Sequence, residues 1–170
     1  MAILELPHSA GCLVCGYSNP HGLHLHLHVD TDTGAVHVEF TPGEEHIGFE
    51  GIIHGGVIAT IVDEAMVWAA TWAGNRFCVC GEMSVRFRQS AQVGRKILIT
   101  AKAGSVRAKL IQCSSEVTDD RGVLSTASGK YIPVSPDRHD AVMQTLVAEA
   151  GTVEAVKLLR KKISDFRFKI

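Results

Sequence analysis

The sequence predicts an α+β domain in which one long apolar helix is covered by a curved antiparallel sheet of about six strands. Two observations carry this. Residues 51–75, GIIHGGVIATIVDEAMVWAATWAGN, form an apolar stretch of helical length in which Asp63 and Glu64 are the only carboxylates. Around it lie segments of period-two alternation: two before it and a run of four after it. A single apolar helix needs a large surface to cover it, and the strands are the only source.

The elements follow in order. Residues 1–21 read as an irregular arm containing Cys12-x-x-Cys15. From Leu23, LHLHLHV alternates leucines and Val29 with His24, His26 and His28, the pattern of a half-buried strand. Asp30 to Gly34 is turn chemistry, and 35–41 is a second strand with Val36, Val38 and Phe40 on one face. A glycine-containing loop, 42–53, leads into a helix from about Gly55 to Ala73, stopped by Gly74-Asn75. Ile58, Ile61, Val62, Ala65, Ala69 and Trp72 share one helical face, flanked by Asp63 and Glu64.

After the helix, Phe77, Val79, Gly81, Met83, Val85 and Phe87 alternate with more polar residues, predicting one long amphipathic strand. Strands at about 95–106, 107–118 and 123–132 complete a hairpin-linked meander. Ser135-Pro136-Asp137 starts a helix that Gly151 ends, and Thr152 caps another reaching about Asp165. The domain thus spans 22–134, with a C-terminal helical extension over 135–170.

Composition narrows the function. A net charge of −1 gives no electrostatic reason to expect nucleic acid or an anionic membrane as partner. The acids interrupt the one apolar run, so no membrane span is expected. The start, MAILELPHSAGC, lacks a basic n-region and an h-region, which predicts a cytoplasmic protein. Five cysteines, an odd number, do not form an evident disulfide framework. Cys12 and Cys15 with His21 and His24 are too few in recognised spacing for a structural zinc site, so no metal or other cofactor is expected.

The helix carries the candidate chemistry. Its start, His54-Gly55-Gly56, can aim backbone N–H groups at an electron-rich oxygen, and Asp63 or Glu64 can act on a carbonyl. Gly55 and Asp63 are eight residues apart, about 12 Å along a helix at ~1.5 Å per residue. One helix cannot apply both to one carbonyl, so a shared substrate requires two subunits.

The strings HGGVIATIVDEAM, CLVCGYSNPHGLHLHL, VRFRQSAQVG and ASGKYIPV, in their positions along the chain, resemble the hotdog-fold acyl-CoA thioesterases of the phenylacetic-acid-degradation type. The resemblance implies a homodimer or a dimer-of-dimers tetramer with active sites at the subunit interface. It implies hydrolysis of an acyl-CoA to free acid and CoA. It makes Asp63 the catalytic acid residue, Gly55 and Gly56 the carbonyl-polarising turn, and His54 the support of that turn. Glu64, Trp68, Cys80, Gly81, Arg86 and Arg88 are the expected substrate-binding residues, with the arginines directed to CoA phosphates. Basic residues of the tail (Lys157, Arg160, Lys161, Lys162, Arg167 and Lys169, against Asp165) offer a further phosphate-binding face. Relatives place an Asn six residues before the His, where this chain has Gly48. Two other readings fit the same residues: an acyl-CoA binding module without turnover, and a hydratase or dehydratase using His54 with Asp63.

Overall fold

The computed structural model describes residues 2–167, with side chains through Arg160. The chain opens with β1 (Ile3–Glu5) and β2 (His8–Ser9), then β3 (Leu27–Asp30), β4 (Val36–Phe40), β5 (Ile47–Phe49) and β6 (Ile52–Ile53). Helix α1 (Gly55–Gly74) follows, then β7 (Cys78–Phe87), β8 (Ile97–Arg107), β9 (Leu110–Asp119) and β10 (Gly122–Pro133). The tail contains α2 (Pro136–Thr145), β11 (Leu146–Val147) and α3 (Val153–Arg167).

Seven strands form one antiparallel sheet in the order β1-β3-β4-β8-β9-β10-β7. The expected sheet has about six; the seventh, β1, comes from the arm. The inner face presents Val36, Val38, Ile97, Ile99, Ile111 and Leu124 to the buried helix residues Ile61, Val62, Ala65 and Ala69. Each fully buried aliphatic side chain contributes about 1.5–3 kcal/mol. This burial, rather than helical propensity, holds α1 in place. The helix is long and apolar enough to cross a membrane despite its two acids. Here the sheet covers it.

Local chemistry sets the element ends. Asn75, at φ +53°, closes α1 in the left-handed region. Asp30 accepts the N–H groups of Asp32 and Thr33 and closes the β3–β4 hairpin. In LHLHLHV the burial alternates as expected, with Leu25, Leu27 and Val29 inward. Only the second half joins the sheet, because His24 sits at φ +52° and Leu23 and Leu25 donate to the arm carbonyls of Leu13 and Val14. In the tail, α2 stops at Thr145 rather than Gly151. The cause is β11, which peels away to pair with β2, Leu146 opposite Ser9. The His139 ring accepts the Phe77 N–H at 3.0 Å, tying α2 to the core.

The strand after the helix departs most from its sequence pattern. Lys130 of β10 pairs with Glu82, but Tyr131 pairs with Cys80, so Gly81 is an extra residue in β7. This β-bulge reverses the side-chain parity. Before it, Cys78 and Cys80 face α1; after it, Met83, Val85 and Phe87 do. The predicted single apolar face is therefore split, and Val79 points outward at 49% exposure. β7 is also an edge of the sheet.

Candidate active site

Asp63 lies half-buried on α1, where the bulge brings Cys80 and Tyr131 to it. The Tyr131 hydroxyl donates to Asp63 Oδ1 at 3.0 Å. Tyr131 is fully buried, and burial together with the Asp63 charge raises its phenol well above the ordinary tyrosine value. The Cys80 thiol is also raised, first by burial and then by the Asp63 charge, so it stays protonated beside the carboxylate. The sequence reading did not include Tyr131; the available signal was a tyrosine at an inward position of the last strand.

At the helix start, His54 is the N-cap, and its Nδ1 accepts the Gly56 N–H at 2.9 Å. That bond assigns the neutral ring's proton to Nε2. It also occupies the Gly56 donor, which leaves Gly55 as the candidate donor of the pair. A Cβ on Gly56 would lie 2.8 Å from His54 Nδ1, so glycine there permits the cap. At Gly48 a Cβ would lie 2.6 Å from the His54 Cα. The His54 backbone fills the space that any side chain at this position would need.

Two cavities flank this helix start. One, of about 320 Å³, is lined by Gly55, Ile58, Phe87, Arg88, Leu124 and Ser125. Ser125 Oγ is buried in it without a hydrogen-bond partner among the described residues. The other, of about 830 Å³, lies on the arm side between Leu13, Leu23, His54, Gly56, Val57 and Thr60.

The expected substrate-binding residues do not converge on one place. Arg88 lines the smaller cavity, whereas Arg86 pairs with Thr126 on the outer face of the sheet. Gly81 is the bulge itself, and Cys80 is at Asp63. Glu64 and Trp68 turn toward the arm instead, away from the Asp63 cluster. Trp68 is buried, and its Nε1 donates to Glu64 Oε1 at 3.1 Å. The Cys15 thiol donates to the same oxygen at 3.2 Å. Burial pushes the Glu64 carboxyl up to about 7. The Cys12 and Cys15 sulfurs also act on each other, which lowers Cys12 and raises Cys15. In the tail, Lys157 pairs with Glu154 at 3.7 Å and Arg160 is exposed. The side chains of Lys161, Lys162, Asp165 and Arg167, and all of Lys169, lie outside the described residues.

A long helix wrapped by this sheet, with a carboxylate at mid-helix and a glycine turn at its start, defines a hotdog-fold protein. Residues 50–126 match the family model described as the thioesterase superfamily, and the resemblance to the phenylacetic-acid-degradation thioesterases stands. Comparison with curated proteins gives no significant match. Among solved structures, a thioesterase superfamily protein aligns with a TM-score of 0.67 and 23% identity over 72% of this chain. The alignment covers 60% of that relative's length. The PaaI protein of the E. coli phenylacetic acid degradation operon aligns with a TM-score of 0.61 and 18% identity, covering 66% of this chain and 81% of its own. A Streptococcus mutans protein bound to acetyl-CoA aligns with a TM-score of 0.57 and 19% identity, covering 61% and 83%. At these identities the likeness is one of fold.

Proposed function

We propose that this chain hydrolyses an acyl-CoA thioester to the free acid and CoA, at a site shared by two copies. The observation that carries this is the Asp63 carboxylate held by buried Tyr131 beneath an open sheet edge. Phe87 lies on the inner face near that edge and is still 54% exposed, as a surface awaiting cover would be. A second copy packed antiparallel brings its Gly55 to the first copy's Asp63, the arrangement that the ~12 Å separation along one helix requires.

The Gly55 N–H then hydrogen-bonds the thioester oxygen, and the helix dipole reinforces it as negative charge develops. Asp63 takes a proton from water as the water oxygen bonds to the carbonyl carbon. The tetrahedral intermediate collapses, the C–S bond breaks and CoA leaves as thiolate. In the nucleophilic variant, Asp63 displaces the thiolate first and water then cleaves the mixed anhydride. Arg88, beside Gly55, is the better-placed arginine for a CoA phosphate. The His54 cap favours hydrolysis over hydratase chemistry, since its Nδ1 is engaged by Gly56. The bound acetyl-CoA of the Streptococcus mutans relative supports the ligand class.

The test is thiol release from a panel of acyl-CoAs by wild type and Asp63→Asn, with a substrate-free blank for the protein's own cysteines. A loss of ~100-fold or more in a folded variant supports the assignment. Unchanged turnover removes Asp63 from the mechanism. Absence of turnover by wild type leaves a binding module.

A further inference from the structure

The fold brings a second constellation together on the arm side of α1. Cys12 Sγ accepts the N–H groups of Val14 at 3.3 Å and Cys15 at 3.5 Å, placing the sulfur at the focus of a tight turn. Gly16 closes it: a Cβ there would lie 2.4 Å from Cys12 N and 2.5 Å from the Ala10 carbonyl. Cys15 Sγ lies 3.2 Å from Glu64 Oε1, and Cys12 Sγ lies 3.9 Å from the same oxygen. All three ligand atoms fall within 4.8 Å of one another.

We propose that Cys12, Cys15 and Glu64 bind a zinc-class divalent cation that fastens the arm to α1. Zinc bonds of ~2.3 Å to sulfur and ~2.0 Å to oxygen, at tetrahedral angles, set the two atoms about 3.5 Å apart. The two sulfur–oxygen separations bracket that value. Two thiolates select a thiophilic ion over magnesium or calcium, and the carboxylate supplies the third bond. A water completes the tetrahedron. Binding displaces to solvent the protons the ligand set still holds, that of the Cys15 thiol among them. The Trp68 Nε1 bond to Glu64 Oε1 is the outer support such a ligand needs to hold its orientation. His24 is not among the clustered ligand atoms, and its ring Nε2 donates to the Asn19 carbonyl at 2.6 Å. The third donor instead comes from 49 residues beyond Cys15.

The test is metal retention. Wild type, loaded with zinc and desalted, is expected to carry stoichiometric zinc, and the Cys12→Ser/Cys15→Ser variant to carry none. Trp68→Phe is expected to weaken zinc binding ~10-fold. Cobalt(II) added to the wild type is expected to give a thiolate-to-cobalt charge-transfer band, and zinc to suppress alkylation of half-buried Cys12 read by peptide mass. Should the serine variant misfold, these two measurements on the wild type decide. Wild type that keeps no zinc, cobalt bound without thiolate absorption, or Cys12 alkylated equally fast with and without zinc overturns the proposal.

Discussion

Tyr131 and Asp63 are 68 residues apart in sequence and share a 3.0 Å hydrogen bond, with the phenol donating. On the proposed mechanism, Tyr131 positions the carboxylate. Tyr131→Phe keeps the ring's packing and removes the donor. A hydrogen bond to a charged group is worth about 1.5–3 kcal/mol, so kcat is expected to fall roughly 10- to 100-fold. KM should stay within about twofold, since no binding contact is lost. Steady-state kinetics on the folded variant check both. An equal change in KM and none in kcat would remove the positioning role.

The bulge at Gly81 makes a prediction by deletion. Without Gly81, Cys80 and Cys78 turn away from α1, because a one-residue slip flips every side chain beyond it. The deleted chain is expected to lose cooperative unfolding or the Tyr131–Asp63 contact. Gly81→Ala is a milder change. Its Cβ meets the end of the exposed Ile132 side chain at 3.0 Å and the Lys130 carbonyl oxygen at 3.4 Å, and about 1 kcal/mol is expected to be lost. Thermal unfolding of the two variants separates the outcomes.

Gly48→Asn probes the close approach of Gly48 to the His54 backbone. Its Cβ would sit 2.6 Å from the His54 Cα, which is backbone and cannot swing aside. We expect a loss of about 1–3 kcal/mol and lower, not higher, thioesterase activity. Urea unfolding and thiol release measure the two effects.

His54→Ala removes the acceptor for the Gly56 N–H. The helix start should lose ~1 kcal/mol, a typical cap contribution. If the ring only holds the turn, the loss of turnover is expected to be smaller than for Asp63→Asn. An equal loss would make His54 a chemical participant.

Asp30 gives a pH prediction. The backbone N–H of Asp32, and then that of Thr33, hold its carboxyl below the ordinary 3.8. A depressed folded value means the contribution is complete above the ordinary aspartate range and is lost as pH falls through the folded value. The wild type and Asp30→Asn should therefore differ in stability at neutral pH and converge in acid. A gap that persists unchanged at low pH would show that the effect is not one of ionisation.

Much of the fold was legible because periodicity reports burial directly. The α1 face, the β3–β4 alternation and the four-strand meander are each written in the spacing of apolar residues. The bulge was not, because Gly81 occupies an apolar-phase position and preserves the apparent alternation on both sides. The site divides in the same way. His54, Gly55 and Asp63 are local to one helix and its cap. Tyr131, Ser125 and the pairing of Glu64 with Cys15 depend on register and on chain-distant contacts. The short β2–β11 pair escaped for want of length, since two residues carry no period.

That β2–β11 pair has a practical meaning for anyone dissecting this protein. The solved relatives described above align with at most 72% of the chain. A chain trimmed after residue 134 would strip the partner from His8 and Ser9 and remove the His139 ring from the Phe77 N–H. The segments at 8–9 and 146–147 act as one clasp, and opening it from either side is expected to loosen the peptide that carries Cys12 and Cys15.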